Sequence, residues 1–555
     1  MKNKYINTAL PYIPRLLHLI DQNPYSPTYG CFDRAFWHYR TMDFPCGMSQ
    51  EMVLPIALAY SRQYPGNKYY QTERLKELSE AAIRYMIKSS HKDGTCDDYF
   101  PYERAMGALV FSLYAASEAY QVIGMKDEKV EDLFIKRVRH LEHENESGRL
   151  SNHQALAALA AYNVYCITGD ERARKTAEDR VALTLCWQDQ SEGWYQEYEG
   201  ADPGYHTCTI DFLAKCLQKK EAKGEKDHTV LKSLIKAVDF SWYFMHPDGS
   251  YGGEYGSRNT YHFYPHGFEL LAPHTEKAGQ IADAFLNSIE PDKRYHNDDD
   301  RMTAHYVYNF MQAWEDFHPK RPIDINESKN DSTHKWMPNA SICIDWSKNS
   351  DGKEQHYLIA NLSKGGVLKI FDQSGNIASD TGLIGELTDG TVVVSHLVQK
   401  DSKINHNTYE NGTTQEVEGD FCIRKPNGMS VFKQLLLRIW LVTIGRFNAN
   451  LTRSIVQKIA ITGKPKTPFR FKRIIEIKAQ KTIVTDYFPE NMPIKRLSVG
   501  SDATSIYVAN SLVYQESRLS PWQHADLLSL PVKDGLKIWK RTYFRGSNHS
   551  ADFNH

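Results

Sequence analysis

The sequence is poor in the features that would place it quickly. Its formal net charge is only −1 over 555 residues, and no recognised nucleic-acid-binding motif accompanies its basic stretches, so nucleic acid is set aside as a partner. Nine cysteines form an odd set with no C-x-x-C pair. That pattern argues against a disulfide framework, fits a reducing compartment and supplies no metal-ligand spacing, so neither a metal nor another cofactor is expected. The basic start is not followed by an apolar run, because residues 10–20 are interrupted by Pro11, Pro14, Arg15 and His18. An export signal is therefore not expected, and the chain reads as cytoplasmic.

What is present is a chain with 41% hydrophobic and 24% charged residues, enough for a large core and, at this length, two domains. The near-zero charge hides an asymmetry: residues 1–330 sum to −9 and residues 331–555 to +8. The two parts face different surroundings or each other. Apolar residues recur at helical spacing over 52–60, 75–86, 105–120, 155–167, 173–185, 212–217, 230–244 and 302–314. Turn signals such as Tyr64-Pro65-Gly66-Asn67 and Thr168-Gly169-Asp170 end most of these runs. About five to seven helical hairpins result, and a toroid accommodates their long Gly/Tyr-rich loops better than a bundle does.

Past Phe317 the character changes. A polar segment with Pro319, Pro322 and Pro338 reads as a linker, and β-branched alternating runs follow at 357–360, 367–371, 391–397, 473–477, 482–487 and 504–508. The expected organisation is an (α/α) toroid over 1–320, a linker over 321–340 and an antiparallel β-sandwich over 341–555.

Three loops of the helical half share a pattern, opening on an acid and a glycine and closing on an acid and a tyrosine. They are Asp93-Gly94 to Asp98-Tyr99, Glu192-Gly193 to Glu197-Tyr198, and Asp248-Gly249 to Glu254-Tyr255. Recurrence of one unit places its variable loops on one rim, where a site is sought first. Chemistry-bearing residues cluster there. Asn152-His153 opens a helix, with Ser151 or Asn152 as its N-cap. Trp194, Tyr198 and Asp202 precede Gly204-Tyr205-His206, and Glu254, Tyr255, Tyr261 and His262 surround Arg258. Aromatic faces stack on sugar rings and carboxylates grip hydroxyls, so these residues, with Tyr99 and Glu103, form a candidate sugar-binding wall. Structural tyrosines and a plain Glu254–Arg258 ion pair would explain part of the same composition.

The Asn-His at a helix start, the Gly-Tyr-His after an acidic loop, and the order of toroid then sandwich resemble the heparinase II/III-like polysaccharide lyases and related alginate lyases. The resemblance implies β-elimination on a uronate-containing glycan. It puts Asn152 and His153 in the carboxylate-neutralising role and Tyr205 in the acid/base role, with His206 as a neighbour; a tyrosine serves as base only where cations lower its pKa, and His153, His206 and Arg258 are the catalytic candidates for that. Family members bring another histidine from the start of the β-domain; here that region reads Ala360-Asn361-Leu362-Ser363-Lys364-Gly365-Gly366-Val367. The base is left open among His262, His396 and His406. Elimination builds enolate charge beside a carboxylate, so donors aimed there must stabilise the transition state more than the ground state. A glycoside hydrolase on the same toroid would instead need two flanking carboxylates, drawn from Asp98, Glu103, Glu197, Asp202, Asp211 and Glu254. A relative that binds glycan without cutting it is the third alternative. The expected partner is an acidic oligosaccharide or polysaccharide, in surface-glycan assembly or in degradation.

One further segment stands out. Residues 421–475 hold twelve basic side chains and no acidic one, around an apolar stretch at 431–442. That stretch is too short and too charged to span a bilayer. It reads either as an amphipathic helix on an anionic membrane, making the protein peripheral to the inner face, or as sandwich core beside a solvated basic face, and the second is favoured.

Overall fold

The computed structural model describes residues 1–555 apart from 144–147, 290–302, 322–323, 329–332, 349–354, 373–374, 400, 410–411, 425–429, 458–462, 479–480, 501–518 and 545–555. The expected strand at 504–508 lies outside the described residues.

Six helices form a closed inner ring: Val53–Ser61, Met106–Val122, Ser151–Thr168, Pro203–Ala222, His266–Leu271 and Thr303–Glu315, each packing on the next and the last on the first. Outside them lie Glu73–Ser89, Glu128–His143, Glu171–Cys186, His228–Tyr243 and Glu276–Ser288, and the N-terminal helix Asn3–Ala9 packs on Thr303–Glu315 to complete the outer ring. Composition assigns the rings. Met106–Val122 is apolar or small almost all round and buried almost throughout, whereas Glu73–Ser89 and Glu128–His143 bury only one stripe each. Closure is fixed by polar contacts as well as packing: Tyr5 Oη donates to Glu269 Oε1 at 2.8 Å, across 264 residues.

The second half is an antiparallel sandwich. Strands Thr333–Met337, Ile342–Lys348, Gln355–Asn361, Val367–Asp372 and Gly375–Asp380 form a five-stranded meander in sequence order. The larger, ten-stranded sheet is centred on Gly412–Arg424, Lys466–Ile477, Lys481–Pro489 and Leu536–Phe544. Between the sheets Arg473 and Arg541, both buried, each bridge Asp380 and Asp486. Buried cations of this kind persist only with paired carboxylates.

Two expectations are corrected here. The segment 321–340 is not wholly linker, since Ile325–Ser328 is helical and Thr333–Met337 is the first strand of the meander. The stretch 431–442 is not sandwich core: it is the helix Val431–Val442, in which only Leu441 is buried.

Candidate functional site

In every toroid hairpin the chain passes from an outer helix, through a loop, into the N-terminus of the next inner helix. The loops after Glu73–Ser89, Glu171–Cys186 and His228–Tyr243 therefore share one rim, together with the turn that enters Ser151–Thr168. Inner-helix N-termini point into that rim, and their unpaired backbone N–H groups favour negative charge there.

Glu197 meets that demand. Its buried carboxylate accepts from the Asn152 backbone N–H at 2.9 Å and from Asn152 Nδ2 at 2.8 and 2.9 Å. The helix expected to be capped by Ser151 or Asn152 is thus capped by a carboxylate 45 residues away in sequence, while Ser151 Oγ donates to the Gln196 carbonyl at 2.7 Å. Arg258 Nη1 reaches the same carboxylate at 3.1 Å. Burial pushes the Glu197 carboxyl above its ordinary range, and Arg258 opposes the rise.

Asp202 organises the next turn. It caps Pro203–Ala222 by accepting from the Tyr205 N–H at 2.9 Å, accepts from the Arg258 N–H at 2.9 Å, and takes the Thr260 hydroxyl. Gly204 is required where this turn meets the third loop, since a Cβ there would stand 2.2 Å from Thr260 Oγ1. The result is a guanidinium lying over a phenol ring, with Arg258 Cζ 3.7 Å from the Tyr205 centroid and 5.1 Å from that of Tyr198. On its other side Tyr205 meets the His262 ring edge-on, at 4.9 Å between centroids.

Tyr205 is protonated at neutral pH, because burial drives its pKa far up and outweighs the pull of Arg258. His262 is neutral, its pKa pushed down to about 3 by burial and by Arg258. Its Nδ1 is engaged by Tyr306 Oη, whereas Nε2 is buried without a hydrogen-bond partner. Asn152 Oδ1 and Arg258 Nε are orphaned in the same way. Tyr205 and Arg258 are each 5% exposed, and the partly exposed Tyr198 lies beside Arg258.

The remaining sequence candidates divide. His153 packs edge-on to Phe111 at 5.7 Å and lies near enough to Glu197 to influence its charge. His206 does not join the cluster. Its Nδ1 accepts from the Tyr195 N–H at 3.3 Å and its Nε2 donates to the Ala237 carbonyl at 3.0 Å, so it packs the inner ring on the outer and has no free nitrogen for a substrate. Trp194 is buried with its indole on Glu192 at 2.9 Å. Tyr255 is buried on His246 at 2.8 Å. Glu103 holds the first loop by accepting from the N–H groups of Asp98, Tyr99 and Phe100. Tyr99 is exposed at the mouth of a separate cleft of about 900 Å³ that Arg34, Met48 and Asp98 also line.

The expected Glu254–Arg258 pair is replaced. Glu254 pairs with Lys369 of the sandwich, and the Tyr261 hydroxyl joins both. Lys364, in the region where the resemblance leads one to look for a histidine, donates to the carbonyls of Glu254 and Gly256 and to Asn259 Oδ1. Burial lowers the pKa of its amine to about 7. The sandwich thus grips the loop that carries Arg258. Of the other histidines, His396 is buried in the sandwich near Lys364, and His406 stacks on Trp336. Sequence reasoning missed Lys364 and Lys369, and it weighed Glu197 only as one of several hydrolase carboxylates.

No family model matches the sequence, and no curated protein is similar to it in sequence. Solved structures do resemble it. The Streptomyces coelicolor A3 chondroitin AC lyase, in complex with chondroitin sulphate, aligns at TM-score 0.55 and 9% identity, over 90% of this chain and 68% of that one. A heparinase III aligns at TM-score 0.44 and 13% identity, over 90% of this chain and 72% of that one. An unsaturated glucuronyl hydrolase mutant from Streptococcus agalactiae aligns at TM-score 0.34 and 13% identity, over 58% and 81%. The chain therefore has the helical-toroid-plus-sandwich fold of the chondroitin AC lyase, as a divergent member of that fold group.

Proposed function

We propose that this protein cleaves a uronate-containing polysaccharide or glycan intermediate by β-elimination at the Tyr205 cluster. The observation that carries the reading is the convergence of Arg258, Tyr205 and a neutral His262 beside the Asn152–Glu197 pair. Arg258 Nε, the unpaired donor, meets the uronate carboxylate and stabilises the enolate that forms when the adjacent carbon loses its proton. His262 Nε2 takes that proton as base once the anionic uronate bound beside it raises the pKa that burial and Arg258 hold at about 3 in the free protein. Tyr205, protonated and in van der Waals contact with a cation, delivers a proton to the departing glycosidic oxygen. The C–O bond breaks, a C=C bond forms in the uronate ring, and no water is consumed. Asn152 and Glu197 position Arg258 and the helix N-terminus.

The hydrolase alternative fares worse because five of its six carboxylates are committed, and the sixth, Asp98, lines a cleft with no second candidate carboxylate beside it among those six. Glu197, Asp202, Glu254 and Glu103 each hold backbone or cationic partners that fix the fold, and Asp211 pairs with buried Lys215 at 2.7 Å. Incubation with a panel of uronate glycans tests the proposal: products should show the ultraviolet absorbance of an unsaturated uronate. New reducing ends without that absorbance would establish hydrolysis, and binding without any product would establish a non-catalytic glycan receptor.

A further inference from the structure

Two adjacent strands of the large sheet, Gly412–Arg424 and Lys466–Ile477, are joined by a helical hairpin rather than a turn. It comprises Val431–Val442, the single 3₁₀ turn Gly445–Phe447 and Ala449–Gln457. One side is fixed to the protein. Leu441 is buried, Trp440 Nε1 donates to Thr452 Oγ1 at 3.1 Å to tie the two helices together, and Gly445 leaves room for the Trp440 ring. Arg438 pairs with Asp43 and lies over Phe44, and Arg446 lies 5.4 Å over Tyr102. The hairpin therefore sits on the toroid rim.

The other side is apolar and uncovered. Phe432, Leu435, Leu436 and Ile439 recur at the spacing of one helical face and are 69, 56, 51 and 57% exposed. Phe447, Leu451 and Ile455 extend the patch. Nearly half of the large apolar side chains exposed among the described residues fall in this one stretch. A contiguous patch of this kind marks a contact surface, unlike apolar residues scattered singly.

We propose that this hairpin is an interfacial anchor that docks the protein on an anionic membrane surface. Its charge selects that occupant: the sequence over 430–457 has four basic residues and no acidic one, and Lys433 stands exposed beside Phe432 and Leu436, whereas Arg438 and Arg446 are turned to the rim. A symmetric contact with a second copy would set this basic patch against itself, because an isologous interface pairs a surface with its own image. Anionic headgroups neutralise it instead, while the apolar face enters the acyl boundary. The first helix has 12 residues, far short of the length that crosses a bilayer. Among the described residues no helix is long and apolar enough to cross a membrane. The inference does not depend on the glycan chemistry.

Sedimentation of the full-length protein with vesicles tests it, using phosphatidylcholine alone or mixed with phosphatidylglycerol. The wild-type chain should pellet with the anionic vesicles at low salt and be released as salt rises. Replacing Phe432→Ser and Leu436→Ser together should weaken partitioning by at least about tenfold. Lys433→Glu should weaken it by roughly fivefold per unit of charge changed. These positions are exposed, so the thermal midpoint should stay unchanged. A wild-type protein that stays in the supernatant at low salt would overturn the proposal, as would equal pelleting of the double variant or with neutral vesicles. So would a wild-type dimer that the same serine pair dissociates, or capture of an acidic partner protein by a chain that ignores vesicles.

Discussion

Arg258 lies 3.7 Å over the Tyr205 ring while donating to Glu197 at 3.1 Å, so one buried cation serves a phenol and a carboxylate at once. The ring face is the electron-rich part of a tyrosine, and stacking a cation on it is favourable without any bond to the hydroxyl. That leaves the hydroxyl available for proton transfer.

Tyr205→Phe keeps this stacking and removes only the hydroxyl. Turnover should fall by roughly a hundred- to ten-thousand-fold with little change in the unfolding midpoint. A steady-state assay on a substrate identified by its unsaturated product decides the matter. An unchanged rate would move the chemistry away from Tyr205.

Glu197→Ala strands a buried guanidinium and uncaps Ser151–Thr168, so it should destabilise the fold by about 3–5 kcal/mol. Adding Arg258→Met removes the stranded charge and should recover part of the loss. A double-mutant cycle in urea should yield a coupling of at least about 1 kcal/mol. Strict additivity would mean that the pair contributes nothing.

Stability should decline as pH falls below 7. His206, His262 and His396 have folded pKa values of about 4, 3 and 3, all lowered chiefly by burial, and His305 shifts in the same direction. A depressed folded pKa means the unfolded chain binds the proton more tightly. The contribution of these residues is complete above their ordinary value of 6.5 and is lost as pH falls toward the folded values, at up to about 1.4 kcal/mol per histidine per pH unit. Glu51 opposes them, since burial raises its carboxyl to about 8 and its contribution fades as pH rises from 4.5 to 8. Urea midpoints should still be lower at pH 5 than at pH 7, and His396→Gln should flatten the slope by about one proton. A midpoint that does not move would refute the claim that the histidines are held neutral.

Lys364→Met removes the three bonds that tie the sandwich to the loop carrying Arg258. Amides of residues 254–260 should exchange faster, and activity should fall by about tenfold or more through misplacement of Arg258. Unchanged exchange would show that the glycine-rich loop holds its own shape.

The sequence made the toroid legible because apolar periodicity survives in strongly amphipathic or fully apolar helices. Glu128–His143 and Glu276–Ser288 were not among the runs read, although each buries a one-sided apolar stripe as Glu73–Ser89 does. The N-terminal helices escaped because Pro11 and Pro14 resemble interruptions, although they sit in first turns, where proline is tolerated. Short motifs singled out Asn152, Tyr205 and Arg258, which the fold brings together around Glu197. The part played by Glu197 was not legible, because an acid in a Tyr/Gly-rich loop reads as a sugar ligand until residues 45 and 61 positions away are known to close on it. Lys364 and Lys369 were equally hidden, since their partners belong to the other half of the chain.

The hairpin at 431–457 enters and leaves the sheet at neighbouring rungs. Cys422 pairs with Lys466, and the Ile423 N–H donates to the Pro465 carbonyl at 2.7 Å. Strand order is therefore indifferent to what lies between these rungs, and a short turn could close the same ladder. If the hairpin is the proposed anchor, its deletion would release the protein from anionic vesicles while leaving the pairing of Gly412–Arg424 with Lys466–Ile477 intact.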